Sequence, residues 1–387
     1  MAWLADKARN LLSKGKGAEP GPPVDSGIPS GAKATYRDQR PNMPLESGRL
    51  KPLDSAYEQV LRYPEMKAMM EKAGLPESME ELLDEDSGID KSRRRGQGPT
   101  TEEHRLLNVC VLLGNGDAKY RGGFYNSAEA TYLEAYKAAI NVRDKLLQAI
   151  SLAVLAAAVA MQDRHEQALK HIEDALRRKS DLAVAWYNRG VILLMLAQYS
   201  EALSCFDEAL VNRPVFAEAQ YNKGIALGNL NRPSEALTCF EAALDDDPQD
   251  ADAWLGKGVP LLMLVRYGEA VDCFEEALKY RFTSAGAWLG KGLGLVMLGR
   301  CEEAMTCFDQ ALGYRPELAE AWLGKGQALG ELGRHKEAAD SFEKALHYKP
   351  DAAHIWHIMG VAMEKLGLFK QALVAYERAR SLEKGQR

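Results

Sequence analysis

The sequence predicts an all-α protein: an array of stacked helix–turn–helix units behind a largely disordered N-terminal leader. Three observations carry that prediction. Like residues recur every 34 positions from about residue 149 onward. Within each period the small and apolar residues fall at helical spacing in two blocks of about 14 residues. Residues 15–52 hold seven prolines and six glycines with few large apolar side chains, too little buried surface to offset the entropy of ordering them.

Composition limits the alternatives. Of 387 residues, 46% are apolar and 27% charged, which allows a large core. The 49 lysines and arginines stand against 55 acids, a net charge of −6, which argues against nucleic acid held by bulk charge. No apolar run approaches the ~18 residues of a membrane-spanning helix. The start, MAWLADKARNLLSKGKG, lacks the apolar stretch and cleavage site of a secretory signal. Six unclustered cysteines fit a reducing compartment, so a cytoplasmic protein is expected.

The leader spans 1–53. Trp3, Leu4, Ala8, Leu11 and Leu12 have helical spacing among Lys7, Arg9, Lys14 and Lys16. Residues 3–16 read as a short amphipathic helix able to dock or to touch a membrane surface weakly, a frayed terminus being the plainer reading. Residues 54–100 read as two short amphipathic helices broken at Gly74–Pro76, then an acidic run ending at Asp90, then Lys91, Arg93, Arg94 and Arg95. The run is either a solvated linker or a partner patch.

The array follows. Residues 101–182 hold divergent helical repeats. Ala128, Tyr132 and Ala135 suit the second helix of a unit over about 101–148 that carries a loop insertion. Ala168, Ile172 and Ala175 suit the next, where Leu152 stands for a tryptophan. Six clear units fill 183–386. Trp186, Trp254, Trp288, Trp322 and Trp356 share one series, with Gln220 in the second place. Gly190, Gly224, Gly258, Gly292, Gly326 and Gly360 form another, and Phe206, Phe240, Phe274, Phe308, Phe342 and Tyr376 a third. Alanines keep step at 202, 236, 270, 304, 338 and 372, and again at 209, 243, 277, 311, 345 and 379. Pro214, Pro248, Pro316 and Pro350 close four units. Glycine lets a neighbouring helix approach, the Ala–Phe–Ala stripe supplies the apolar face, and proline stops the second helix. One hairpin cannot cover its own apolar faces, so the units stack into a continuous solenoid.

This Trp, Gly, Ala, Phe, Ala, Pro pattern resembles the tetratricopeptide repeat family, whose unit is a 34-residue helix–turn–helix. The resemblance implies a right-handed solenoid whose first helices line a concave groove through unit positions 2, 5, 9, 12 and 13. Position 5 holds Tyr187, Tyr221, Leu255, Leu289 and Leu323; position 9 holds Val191, Ile225, Val259 and Leu293; position 13 holds Met195, Met263 and Met297. With Asn188 and Asn222 at position 6, these form the candidate groove, apolar from about 183 to 300 and polar beyond. Family members that clamp a chaperone C-terminal carboxylate carry Lys at position 5 and Asn at position 9; that pair is absent here. Asn188 and Asn222 match asparagines that some members use to grip a peptide backbone, but Gly256, Gly290 and Gly324 replace them later. A basic series at position 7 (Arg189, Lys223, Lys257, Lys291, Lys325) either covers apolar surface with its stems or meets an acidic partner. Residues 54–86 are a candidate to fold back into the groove and compete with a partner.

No catalytic constellation is recognisable. The Gly-Lys-Gly triplets at 256–258, 290–292 and 324–326 lie inside predicted helices without a phosphate-loop context. Cys205, Cys239, Cys273 and Cys307 recur one per unit, about 10 Å apart at helix-packing distances, too far to share a disulfide or a metal. His354 and His357 lack further ligands. Neither cofactor nor metal is expected. Pro260 should kink a first helix. Only RSLEKGQR follows Ala379, so the array lacks a polar end helix and self-association through the C-terminal repeat is expected. The expected function is a non-catalytic scaffold binding a peptide or amphipathic helix of another protein. The alternative is a regulatory or substrate-docking subunit of a multiprotein enzyme complex.

Overall fold

The computed structural model describes Val60 and residues 101–385. The leader of 1–53, the amphipathic helix at 3–16, the helices and linker of 54–100 and the fold-back of 54–86 lie outside the described residues, Val60 apart. Val60 is fully buried, in a core shared with Leu106, Val109, Cys110 and Leu113.

Residues 101–385 form sixteen helices and no strand. They fall into two compact units, one ending at Ala226 and the other starting at Leu227. In the first unit the hairpins are α1 (Thr101–Arg121) with α2 (Tyr125–Val142), α3 (Lys145–Ala160) with α4 (His165–Arg178), and α5 (Ala183–Met195) with α6 (Tyr199–Asn212). Helix α7 (Ala217–Asn229) crosses the boundary. The second unit continues with α8 (Pro233–Asp246), then α9 (Ala251–Met263) on α10 (Tyr267–Tyr280) and α11 (Ala285–Met297) on α12 (Cys301–Tyr314). It ends with α13 (Ala319–Glu331) on α14 (His335–Tyr348) and α15 (Ala353–Lys365) on α16 (Phe369–Gly385). Second helices also pack on the next first helix, as α10 does on α11 and α12 on α13. The fold class is therefore the one the period predicts: all-α, in stacked helix pairs.

The loop insertion expected within 101–148 is not a loop. Three residues, 122–124, join α1 to α2, and two, 143–144, join α2 to α3. The surplus residues lengthen the helices instead: α1 has 21 residues and α3 has 16, against 13 in α5, and α2 has 18, against 14 in α4 and α6. Asp144 fixes the early start of α3, its carboxylate accepting the Leu147 amide at 2.8 Å, an N-cap.

The turn inside each hairpin needs one left-handed residue. Position 15 supplies it: Ala197, Asn231 and Val265 at φ 57°, 58° and 64°, then Gly299, Gly333 and Gly367 at φ 73–76°. At α9 the Arg266 amide donates to Leu261 O at 2.9 Å and the Val265 amide to Leu262 O at 3.3 Å, the paired bonds that close a helix through such a residue. Valine is a poor occupant, because its branched Cβ meets the backbone there. Val265 is also 61% exposed, so little packing would be lost with its side chain. Val265→Gly is expected to raise stability by about 0.5–1 kcal/mol, read as a later urea midpoint at unchanged slope.

The tryptophan series ties one hairpin to the next. Each indole Nε1–H donates to the carbonyl six residues earlier, where the preceding second helix has ended: Trp186 to Ser180, Trp254 to Pro248, Trp288 to Phe282, Trp322 to Pro316 and Trp356 to Pro350, all at 2.8–2.9 Å. Pro260 lies inside α9, which remains helical from Ala251 to Met263. No helix among the described residues is long and apolar enough to cross a membrane.

Candidate partner-binding surface

The candidate residues sit on the first helices α5, α7, α9, α11 and α13, and most of them face inward. Up to Ala226, Tyr187 is 1% exposed and packs against Phe206 and Phe216, with ring centroids 6.1 and 4.9 Å away. Asn188 donates from Nδ2 to the Ala153 carbonyl at 2.8 Å, and Asn222 donates to the Tyr187 hydroxyl at 2.9 Å. Both asparagines are buried and spend a donor between neighbouring repeats. Val191 and Tyr221 are buried, Ile225 is half-buried and Met195 is 36% exposed. From Leu227 on, Leu255, Val259, Met263, Leu289, Leu293 and Leu323 are buried, and Met297 is half-buried. Of the fourteen candidates, then, Met195, Ile225 and Met297 reach solvent.

The Gly-Lys-Gly triplets are packing devices. In 290–292, a Cβ on Gly290 would stand 2.5 Å from the Phe274 ring of the preceding hairpin, and one on Gly292 would stand 2.6 Å from Phe308 of its own. Gly256 meets Phe240 and Gly258 meets Phe274 in the same way, as Gly324 meets Phe308 and Gly326 meets Phe342. Each of Phe274 and Phe308 therefore lies between two glycines, one from its own first helix and one from the next.

The lysine between the glycines turns back onto the preceding hairpin. Lys257 pairs with Glu241 at 3.2 Å, Lys291 with Glu275 at 2.9 Å and Lys325 with Asp309 at 2.5 Å; Lys223 pairs with Asp207 at 2.7 Å. The three later ammonium groups also lie 5.4–5.8 Å from the rings of Trp254, Trp288 and Trp322. Four of the five heads in the basic series thus pin neighbouring hairpins together.

Two features escaped the sequence reading. Arg232, Arg266, Arg300 and Arg334 each grip the glutamate three residues on (Glu235, Glu269, Glu303, Glu337) with two bonds of 2.6–2.7 Å. The glutamates are held below the usual carboxylate range at 269, 303 and 337, through the hydrogen bond from arginine first. These Arg-x-x-Glu pairs also recur every 34 residues, which was the available signal. The other is the buried bond from the Tyr132 hydroxyl to Asp117 Oδ1 at 2.6 Å, with burial pushing the phenol pKa well above its ordinary value. Gly116 and Tyr132 keep the sixteen-residue spacing of Gly258 and Phe274.

The thiols have a packing environment. Burial pushes Cys205, Cys273 and Cys307 up to about 11 and Cys110 up to about 12, so they stay protonated at neutral pH. Among the described residues no three His, Cys, Asp or Glu side chains converge on a metal position.

Family profiles described as tetratricopeptide repeat match residues 108–181, 183–214, 221–288, 289–353 and 325–383. No curated protein matches the chain. Among solved structures, the type IV pilus biogenesis factor PilW is 25% identical over 52% of this chain and 94% of its own, with a TM-score of 0.49. A tetratricopeptide repeat protein from Parabacteroides merdae is 19% identical over 66% of this chain and 99% of its own, with a TM-score of 0.48. YrrB, described as having an unusual peptide-binding site, is 22% identical over 48% and 96%, with a TM-score of 0.41.

Proposed function

Because the chain belongs to the tetratricopeptide repeat family, we propose that it is a non-catalytic scaffold that binds a peptide or amphipathic helix of another protein on its first-helix face. The observation behind this reading is the accessibility of Met195 and Ile225 in the unit that ends at Ala226, and separately of Met297 in the unit that starts at Leu227, on first helices whose other candidates are buried. Methionine suits such a role, being flexible, polarizable and able to fit a range of apolar side chains. The contact residues lie at positions 9 and 13, and the residues at positions 5 and 6 support them from beneath. A cytoplasmic setting belongs to the same proposal, supported by six buried cysteines, none of them in a disulfide.

The test follows from burial. Met195→Glu places charge on the exposed first-helix residue of one unit and Met297→Glu on that of the other, neither entering the core, whereas Tyr187→Glu or Met263→Glu would disturb folding. Proteins captured from native lysate by the wild type should be lost from the double variant and kept by Val211→Glu, a change at a 74% exposed residue on a second helix. Capture that survives the double variant, with circular dichroism unchanged, would refute the assignment of these contacts.

A further inference from the structure

Inside the unit that starts at Leu227, the outer face of a second helix is covered by the next hairpin. Val271 of α10 is buried, and a Cβ on Gly294 of α11 would stand 2.8 Å from its Cγ2. Leu373 of α16 holds the same unit position and is 58% exposed. Phe369 at 69% and Val374 at 62% lie beside it. Val374 is the informative residue. Its position holds Ser204, Thr238, Asp272, Thr306 and Asp340 in the earlier repeats, polar and exposed every time. Regular stacking thus leaves this position in water, and a further hairpin added in the usual way would not explain an apolar residue there.

Charge surrounds the apolar centre in a particular order. Lys370 lies one turn before Val374 and Glu377 one turn after Leu373; both are exposed, and neither forms an ion pair among the described residues. They stand seven positions apart, about 10 Å along the axis, too far to neutralise each other. Lys370, Leu373, Val374, Glu377 and Ser381 share the outward face of the helix, opposite the buried Ala372, Ala375 and Ala379.

We propose that this face docks a second copy of the chain, α16 against α16, antiparallel about a two-fold axis between Leu373 and Val374. Residues equidistant from that axis then face each other. Leu373 meets the partner's Val374, Lys370 meets the partner's Glu377, and symmetry makes each contact twice. A parallel alignment would set lysine against lysine and glutamate against glutamate, so charge selects the antiparallel one. One helix face is smaller than the about 800 Å² per partner of a standard interface, which sets the expected dissociation constant in the micromolar range.

Sedimentation velocity of the full chain over about 1–200 µM tests this. The wild type should pass from monomer to dimer within that range. K370E and E377K should each weaken the dimer about tenfold or more, since each turns two attractions into two repulsions. The K370E/E377K double variant should return to within about twofold of the wild type, and L373E should stay monomeric. A wild type that is monomeric throughout overturns the proposal, as does a dimer indifferent to L373E or to K370E. A double variant as weak as its parents also overturns it. Circular dichroism of each variant confirms that the surface changes leave the helices intact.

Discussion

Phe274→Ala is expected to destabilise the chain by about 3–5 kcal/mol, toward the upper end of what truncating a buried ring costs. The ring is fully buried in α10. Its edges meet the glycine backbone of two first helices, Gly258 of α9 on one side and Gly290 of α11 on the other. Most truncation sites relax because neighbouring side chains lean into the void. Here neither flanking residue has a side chain to lean. The void can close only if α9 and α11 move together, and Gly294 against Val271 already brings α11 close to α10. Tyr376→Ala offers the comparison within the same architecture. That ring touches only Gly360 among the glycines and is half-buried, and its hydroxyl donates to Glu364 at 2.9 Å on the surface. A loss of about 1–2 kcal/mol is expected there. Urea unfolding of both variants gives the ranking. Hydrogen exchange should place the Phe274→Ala loss in α9–α11, because a repeat array transmits stability between neighbours. Equal costs at the two sites would refute the spacer role of Phe274.

Gly290→Ala and Gly268→Ala should shift stability in opposite directions, although both glycines are helical. Helix propensity alone favours alanine at both by about 1 kcal/mol. A methyl group added at Gly268 on α10 would point into open space, and so would one at Gly313 on α12; alanine there should stabilise by about 0.5–1 kcal/mol. At Gly290 the new methyl would stand 2.5 Å from a Phe274 ring that is itself pinned by Gly258. Overpacking of this kind costs about 1–3 kcal/mol and more than cancels the propensity gain. Gly290→Ala should therefore show an earlier urea midpoint, and Gly268→Ala a later one. The same sign at both positions would mean that backbone entropy, rather than the seam, governs these sites.

The contrast also explains how far the sequence could be read. The 34-residue period reports every contact that each repeat makes with the next, because such contacts must recur. The Gly, Ala, Phe and Trp series were therefore legible as a fold. Burial along the first helices was not, because a residue that recurs for packing and one that recurs for recognition have the same period. Tyr187 and Leu289 looked like groove residues by position and are enclosed; Met195 and Met297 look no different in the sequence and reach solvent. Asn188 and Asn222 illustrate the same ambiguity. An amide suited to a peptide backbone is equally suited to Ala153 O or to the Tyr187 hydroxyl. Between 101 and 148 the period has no matching partner on the N-terminal side, so surplus residues could be counted but not placed. They became extra helical turns because TEEHRLLNV has good helix formers and Asp144 supplies a cap.

The glycine–phenylalanine seam bears on how such a gene can change. Every seam between 251 and 330 is made by the end of one repeat and the start of the next, from the same residue types at the same offsets. Copying one whole repeat in frame would add a seam identical to those on either side, with a lysine already placed to meet its acid. Inserting or deleting a few codons would set a methylene where a ring belongs. Length in this region is thus free to vary in steps of one repeat and resistant to anything smaller.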